Sequence, residues 1–177
     1  TMYVSLNNMY LVVPNTTRWF ILENGNEPKE ETLIYRIKLD QEKIVVMSEG
    51  TVSGYVLNQF SMDEYNSYFR IATTVWTNGN STNSLYILDM NLNVVGKLED
   101  LAPGETIYST RFMGDRCYLV TFRQIDPFFV IDVANPTQPL FPSLIPNMFV
   151  ETGSASSCFD LSKRNALCSY KTGESEY

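Results

Sequence analysis

The chain has 177 residues, 44% of them apolar, which is enough for a packed core and too much for global disorder. Its net charge of −7 lacks the basic face that nucleic-acid binding needs, and it speaks against adhesion to anionic lipid. It contains no histidine, so the commonest general base and metal ligand are both missing.

In chain order, Met2–Ser5 and Met9–Val13 read as strands around a turn at Leu6-Asn7-Asn8, since asparagine tolerates left-handed backbone angles. Pro14 stops the second strand because it has no N–H for a ladder. Asn15–Glu31 is a polar loop in which Trp19–Leu22 reads as a short extra strand. Thr32–Leu39 alternates with period two, Asp40–Lys43 turns the chain, and Ile44–Met47 returns. Asn58–Met62 reads as the innermost strand of a second unit, with its turn in Ser61–Asn66. Tyr68–Trp76 follows, then the polar loop Thr77–Asn83. Leu85–Leu88 and Val94–Leu98 form an outer hairpin around Asn91-Leu92-Asn93. Pro103-Gly104 marks a turn. A third unit holds Ile107–Phe112, Cys117–Arg123 and Phe128–Val133, with turns at Gly114-Asp115-Arg116, Asp126-Pro127 and Asn135-Pro136.

The repeat is the main signal. Apolar runs end in Asp40, Asp89 and Asp132, at intervals of 49 and 43 residues, each preceded by two further strand-like runs. A period of roughly 40–50 residues built of about four short strands is the pattern of a propeller blade. The expected fold is therefore all-β: a β-propeller fragment of about three four-stranded antiparallel blades, with an irregular C-terminal tail. The blades fall at about 1–52, 53–101 and 105–147, and 148–177 is the tail. Three units leave two unpaired faces, so the chain is expected to belong to a longer ring or to self-associate through its open blade faces.

Residues 53–139 resemble a family of archaeal and bacterial exported proteins with a C-terminal β-propeller domain distantly related to WD repeats. The likeness rests on GYVLNQFSMDEYNSYFRIATT and LNVVGKLEDLAPGETIYSTRFMGDRCYLVTFRQIDPFFVIDVANPTQP; residues 1–52 fit the preceding blade more loosely. The resemblance implies a propeller, export to the cell surface or beyond, and no established chemistry. After Asn135-Pro136 the family shows an outer strand, a Pro-Gly turn and a His-Pro start to the next blade. This chain instead reads LFPSLIPNMFVETGSASSCFDLSKRNALCSY, which suggests truncation and a tail altered by a change of reading frame.

Candidate sites are few. Asp89-Met90-Asn91-Leu92-Asn93 opens like a calcium loop, but Val94 stands where glycine is needed and Asp100 where a bidentate Glu is needed, so it reads as a hairpin turn. Arg70, Arg111 and Arg123 lie near the centre of the repeat, with Asp63, Asp115 and Asp126 as partners, either locking blades or meeting a ligand at the channel mouth. Arg70, Trp76, Arg123, Gln124 and Asp126 are the candidate binding residues. Trp76, Arg123, Gln124 and Asp126 fall at one end of the blades with Tyr55 and Glu105. Glu30-Glu31 and Glu99-Asp100 read as solvated charges, and no G-x-S-x-G elbow occurs.

Cys117 reads as a buried small hydrophobe, while Cys158 and Cys168 could pair in an oxidising compartment. Asn15-Thr16-Thr17 and Asn80-Ser81-Thr82 match the glycosylation sequon. The reading is a non-enzymatic binding or scaffold module, exported and displayed at the cell surface, without cofactor or metal. Its partner is a protein or glycan, with no nucleic acid and no membrane span in this segment. The alternative is a propeller-type carbohydrate-active enzyme using loop carboxylates.

Overall fold

The computed structural model describes residues 1–15, 30–39, 44–77, 79–122 and 128–145. Its strands are β1 (Met2–Val4), β2 (Asn8–Pro14), β3 (Glu31–Leu39), β4 (Ile44–Ser53), β5 (Met62–Tyr65) and β6 (Tyr68–Thr77). They continue as β7 (Asn80–Leu88), β8 (Val94–Leu101), β9 (Thr106–Met113), β10 (Arg116–Phe122), β11 (Phe128–Asp132) and β12 (Leu140–Ile145). They form three antiparallel sheets of four strands, each a simple meander in chain order. The expected strands at Trp19–Leu22, the turn at Asp40–Lys43 and the tail with Cys158 and Cys168 lie outside the described residues.

The first two strands of every sheet close on a two-residue turn. Ser5 pairs with Asn8, Tyr65 with Tyr68, and Met113 with Arg116. In the second of these turns Asn66 and Ser67 have φ of 50° and 60°, the pair of left-handed residues that matches the strand twist in a tight hairpin. The three hairpins therefore share one register: Tyr3↔Tyr10, Asp63↔Arg70 and Arg111↔Tyr118 occupy the same rung. One expectation is corrected here. The innermost strand of the second sheet is Met62–Tyr65 rather than Asn58–Met62, because Gln59–Ser61 winds into a single 3-10 turn. The Asn58 side chain caps that turn, accepting the Phe60 N–H at 2.9 Å.

Side-chain alternation decides how the sheets stack. Each sheet has a forward face, toward the next sheet in sequence, and a rear face. Tyr10, Val12 and Ile34 on the forward face of the first sheet pack with Phe69, Ile71, Tyr86 and Leu88 on the rear face of the second. Ala72, Leu85 and Ile87, on the second sheet's forward face, pack with Ile107, Cys117, Leu119 and Phe129 of the third. The second sheet is thus covered on both sides, and β6 is buried without alternation from Phe69 to Thr74. At the centre of the first joint the Tyr10 and Phe69 rings stack at 4.0 Å, an arrangement worth ~1 kcal/mol beyond the area it buries.

The outer rims are joined by a second device. The β7–β8 turn lies over Gly50 of β4, and the β11–β12 turn lies over Gly96 of β8. An added Cβ at Gly50 would sit 2.6 Å from the Leu92 carbonyl oxygen, and one at Gly96 would sit 2.0 Å from that of Pro136. Only a residue without a side chain lets the next sheet's turn approach so closely.

Candidate functional site

The polar groups separate into those consumed by the joints and those left at one end of the sheets. In the first joint Glu64 Oε2 accepts from the Tyr10 hydroxyl at 2.7 Å, the Ser5 hydroxyl at 2.8 Å and the Asn8 amide at 3.0 Å. Tyr3 adds to this, its hydroxyl oxygen accepting the Glu64 N–H at 3.2 Å. Burial raises the Tyr10 and Tyr3 hydroxyls above the ordinary tyrosine range, with the neighbouring carboxylates adding to the shift. Both stay neutral donors, and the Glu64 carboxylate is held between two sheets.

Arg70 does the equivalent work in the second joint. It is 2% exposed. Its Nε donates to Asp63 Oδ2 at 3.1 Å, and Nη2 pairs with the same oxygen. Its Nη1 reaches the Gly114 carbonyl of the third sheet at 2.6 Å. The guanidinium carbon lies 4.8 Å from the Tyr65 ring centroid and 5.0 Å from that of Phe112. The partnership with Asp63 is the one the sequence suggested, and the side chain binds sheet to sheet. Arg111 lies exposed on the inner strand β9, its guanidinium carbon 5.7 Å from the Phe60 centroid.

The Asp89 loop is closed by its own residues. Asp89 Oδ1 accepts the N–H groups of Asn91 and Asn93 at 2.8 and 2.9 Å, and Oδ2 accepts the Asn93 side-chain amide at 3.1 Å. These bonds, the Asn93 amide first, hold the Asp89 carboxyl below the ordinary carboxylate range. Its oxygens are spent on shaping the turn that seats against Gly50. Among the described residues no group of three or more Cys, Asp or Glu side chains converges as metal ligands.

Trp76 stands at the other end of β6, six residues from Arg70 and so roughly 20 Å away. These two candidates do not share a site. The backbone N–H of Trp76 donates to Glu30 Oε2 at 3.3 Å, and the Glu30 carbonyl accepts the Gly54 N–H at 2.8 Å. Tyr55 is bridged to Thr74 by backbone bonds of 2.9 and 3.0 Å. Behind them Thr74 and Asn83 form a buried hub. The Thr74 hydroxyl donates to Asn83 Oδ1 at 2.8 Å and accepts the Ile107 N–H at 3.2 Å. The Asn83 amide donates to the Leu101 and Glu105 carbonyls at 3.0 and 3.2 Å. Thr121 donates its hydroxyl to Glu105 Oε2. This hub fixes both linkers between sheets to the end of the second sheet.

On that base Trp76 is 45% exposed and Tyr55 36%, and Phe122 and Tyr108 of the third sheet are exposed too. Arg123, Gln124 and Asp126, the other candidates that the sequence put at this end, lie outside the described residues. Glu30, which the sequence read with Glu31 as a solvated charge, directly precedes β3 of the first sheet, 46 residues before Trp76. Exposed aromatic residues at one end of the sheets suit a ligand that offers apolar surface.

Three four-stranded meanders stacked face to face, with both inter-sheet linkers at one end, define a β-propeller segment. The chain belongs to the family described as the Beta propeller domain, whose profile matches residues 1–142. It is 50% identical over 121 residues to uncharacterized protein MJ1554 of Methanocaldococcus jannaschii, a match covering 67% of this chain and 19% of that protein. It is 49% identical over 113 residues to an uncharacterized protein of Archaeoglobus fulgidus, covering 62% of this chain and 17% of that protein. The matched part thus spans less than a fifth of either relative. No solved structure matches the chain. No helix among the described residues is long and apolar enough to cross a membrane.

Proposed function

We propose that the chain is a segment of a non-enzymatic binding or scaffolding propeller, exported to the cell surface, which takes a protein or glycan ligand at the end carrying Trp76. The observation that carries this reading is the division of exposed from committed groups. The charges in the joints are taken up between sheets, whereas Trp76 and Tyr55 stay partly exposed on backbone held by Glu30 and Thr74. Loops at one end of a rigid sheet are where recognition usually resides. Asn80, exposed at the same end and the first residue of a sequon, favours an exported protein.

The test is a panel of neutral and acidic oligosaccharides titrated into the native chain and the Trp76→Ala variant by calorimetry. Binding that weakens at least about tenfold in the variant, at unchanged stability, supports the site. Binding unaffected by the substitution refutes it, and turnover of a bound glycan would favour the hydrolytic alternative.

A further inference from the structure

The hydrogen-bond network leaves over two buried hydroxyls where the second and third sheets meet. Ser61 is fully buried and Thr110 is 3% exposed, yet neither Ser61 Oγ nor Thr110 Oγ1 has a hydrogen-bond partner among the described residues. Folded interiors pair nearly all such groups, either with protein or with ordered water.

Both hydroxyls belong to one seam. Thr110 stands opposite Leu119 in the β9–β10 ladder and so shares its face, the one turned to the second sheet. Ser61 ends the 3-10 turn that leads into β5, and that turn lies against β9. The residues beside them meet directly: the Phe60 ring centroid lies 5.7 Å from the Arg111 guanidinium carbon. The shared hairpin register shows what is particular to this place. Asp63 and Arg111 occupy the same rung, so Thr110 holds in the third sheet the position that Met62 holds in the second. Met62 is buried in the first joint and fills its place there with a long thioether chain. Threonine is shorter and adds a hydroxyl, so the second joint has a smaller, polar side chain at the matching point.

We propose that an ordered water molecule is bound in the second joint between Ser61 and Thr110. A buried water needs a polar site with roughly 2–4 partners, and the two hydroxyls supply two of them. A hydroxyl both donates and accepts, and so does water, so each contact is satisfied by rotation of the hydroxyl alone. The water ties the turn at the head of the second sheet to the inner strand of the third. It is independent of the ligand end at Trp76.

A crystal structure of the full chain and urea unfolding of its variants test this. The crystal structure should place one water within about 3 Å of both oxygens. Thr110→Val keeps the shape of the side chain and removes its hydroxyl; Ser61→Ala removes the other. Each should lower the folding equilibrium constant about fivefold, because the water and the remaining hydroxyl both lose a partner. The double variant should lose clearly less than the product of the two, since no hydroxyl is then left to satisfy. The sign for Thr110→Val separates this from a dry seam, where removing an unpaired hydroxyl raises the folding constant. Far-UV circular dichroism checks that each variant is folded. A dry seam in the crystal, hydroxyls bonded directly to each other, a Thr110→Val chain at least as stable as the native one, or a double variant that multiplies the two losses would overturn the proposal.

Discussion

We expect Gly96→Ala to separate the second and third sheets at their outer rim. The new Cβ would lie 2.0 Å from the Pro136 carbonyl oxygen, 3.0 Å from its carbonyl carbon and 3.1 Å from Pro139 Cδ. Ordinary contact begins at 3.4 Å, so the turn must retreat by about 1.4 Å. The first two obstructing atoms are backbone, so no side-chain rotation relieves them. Overpacking of this kind costs ~1–3 kcal/mol, and a clash against backbone belongs at the upper end. Alanine returns up to ~1 kcal/mol by restricting the unfolded chain. The net loss is about 2 kcal/mol, which for a domain of this size lowers Tm by roughly 4–8 °C. Gly50→Ala, at 2.6 Å from the Leu92 carbonyl oxygen and 2.7 Å from its Cβ, should lose less. Urea unfolding followed by circular dichroism reads both. A Gly96→Ala chain as stable as the native one would show that the β11–β12 turn does not rest on β8.

Arg70→Met should cost about 3 kcal/mol, because it leaves Asp63 without its cation and the Gly114 carbonyl without its donor. Arg70→Lys should recover little, since one ammonium does not serve both acceptors and both rings; equal urea midpoints for Lys and Arg would contradict this. Glu64→Ala should cost about 2–3 kcal/mol by leaving three donors unpaired, and Glu64→Gln less because its carbonyl still accepts from Tyr10; the reverse order would show that the charge alone matters. Stability should fall on the alkaline side. Burial pushes the Cys117 thiol up from 9.0 to about 12, and it raises the Tyr3, Tyr10 and Tyr86 hydroxyls in the same sense. For the thiol the folded value exceeds the unfolded one, so its contribution is whole below pH 9 and is lost as pH rises toward about 12. A urea midpoint that stays flat across that window would refute the burial assigned to Cys117.

What the sequence revealed and what it hid follow from the range of each interaction. Arg70 and Asp63 face each other across a two-residue turn, so their pairing follows from a spacing of seven residues. The Asp89 turn was readable for the same reason, since its bonds reach no farther than Asn93. Glu64 and Tyr10 are 54 residues apart, and Trp76 and Glu30 are 46 apart. No local pattern links such pairs; they meet only after whole sheets have stacked. Gly50 and Gly96 read as ordinary strand glycines until the neighbouring turns are seen against them. The misplaced inner strand of the second sheet has a local cause. Asn58 caps a turn more effectively than it opens a strand, and the alternation of NQFSM concealed that preference.

The strand sequences also bear on what surrounds this segment. A strand buried on both sides reads as a continuous apolar run, and one with a wet face alternates. Within the second sheet, covered on both sides, residues Leu85 to Leu88 are apolar at every position and all are buried. The run Met9–Val13 of the first sheet is apolar at every position too, yet Leu11 is 41% and Val13 38% exposed. In the third sheet Cys117–Val120 is apolar throughout, and Tyr118 and Val120 are only half-buried. Both outer sheets thus carry the composition of sheets covered on two sides while the described sheets cover one. Fully burying an exposed Leu or Val gains about 1.5–3 kcal/mol, and these half-buried residues would each gain roughly half of that when such a face is covered. A four-stranded sheet with a complementary face meets that demand with the geometry already seen twice in this chain.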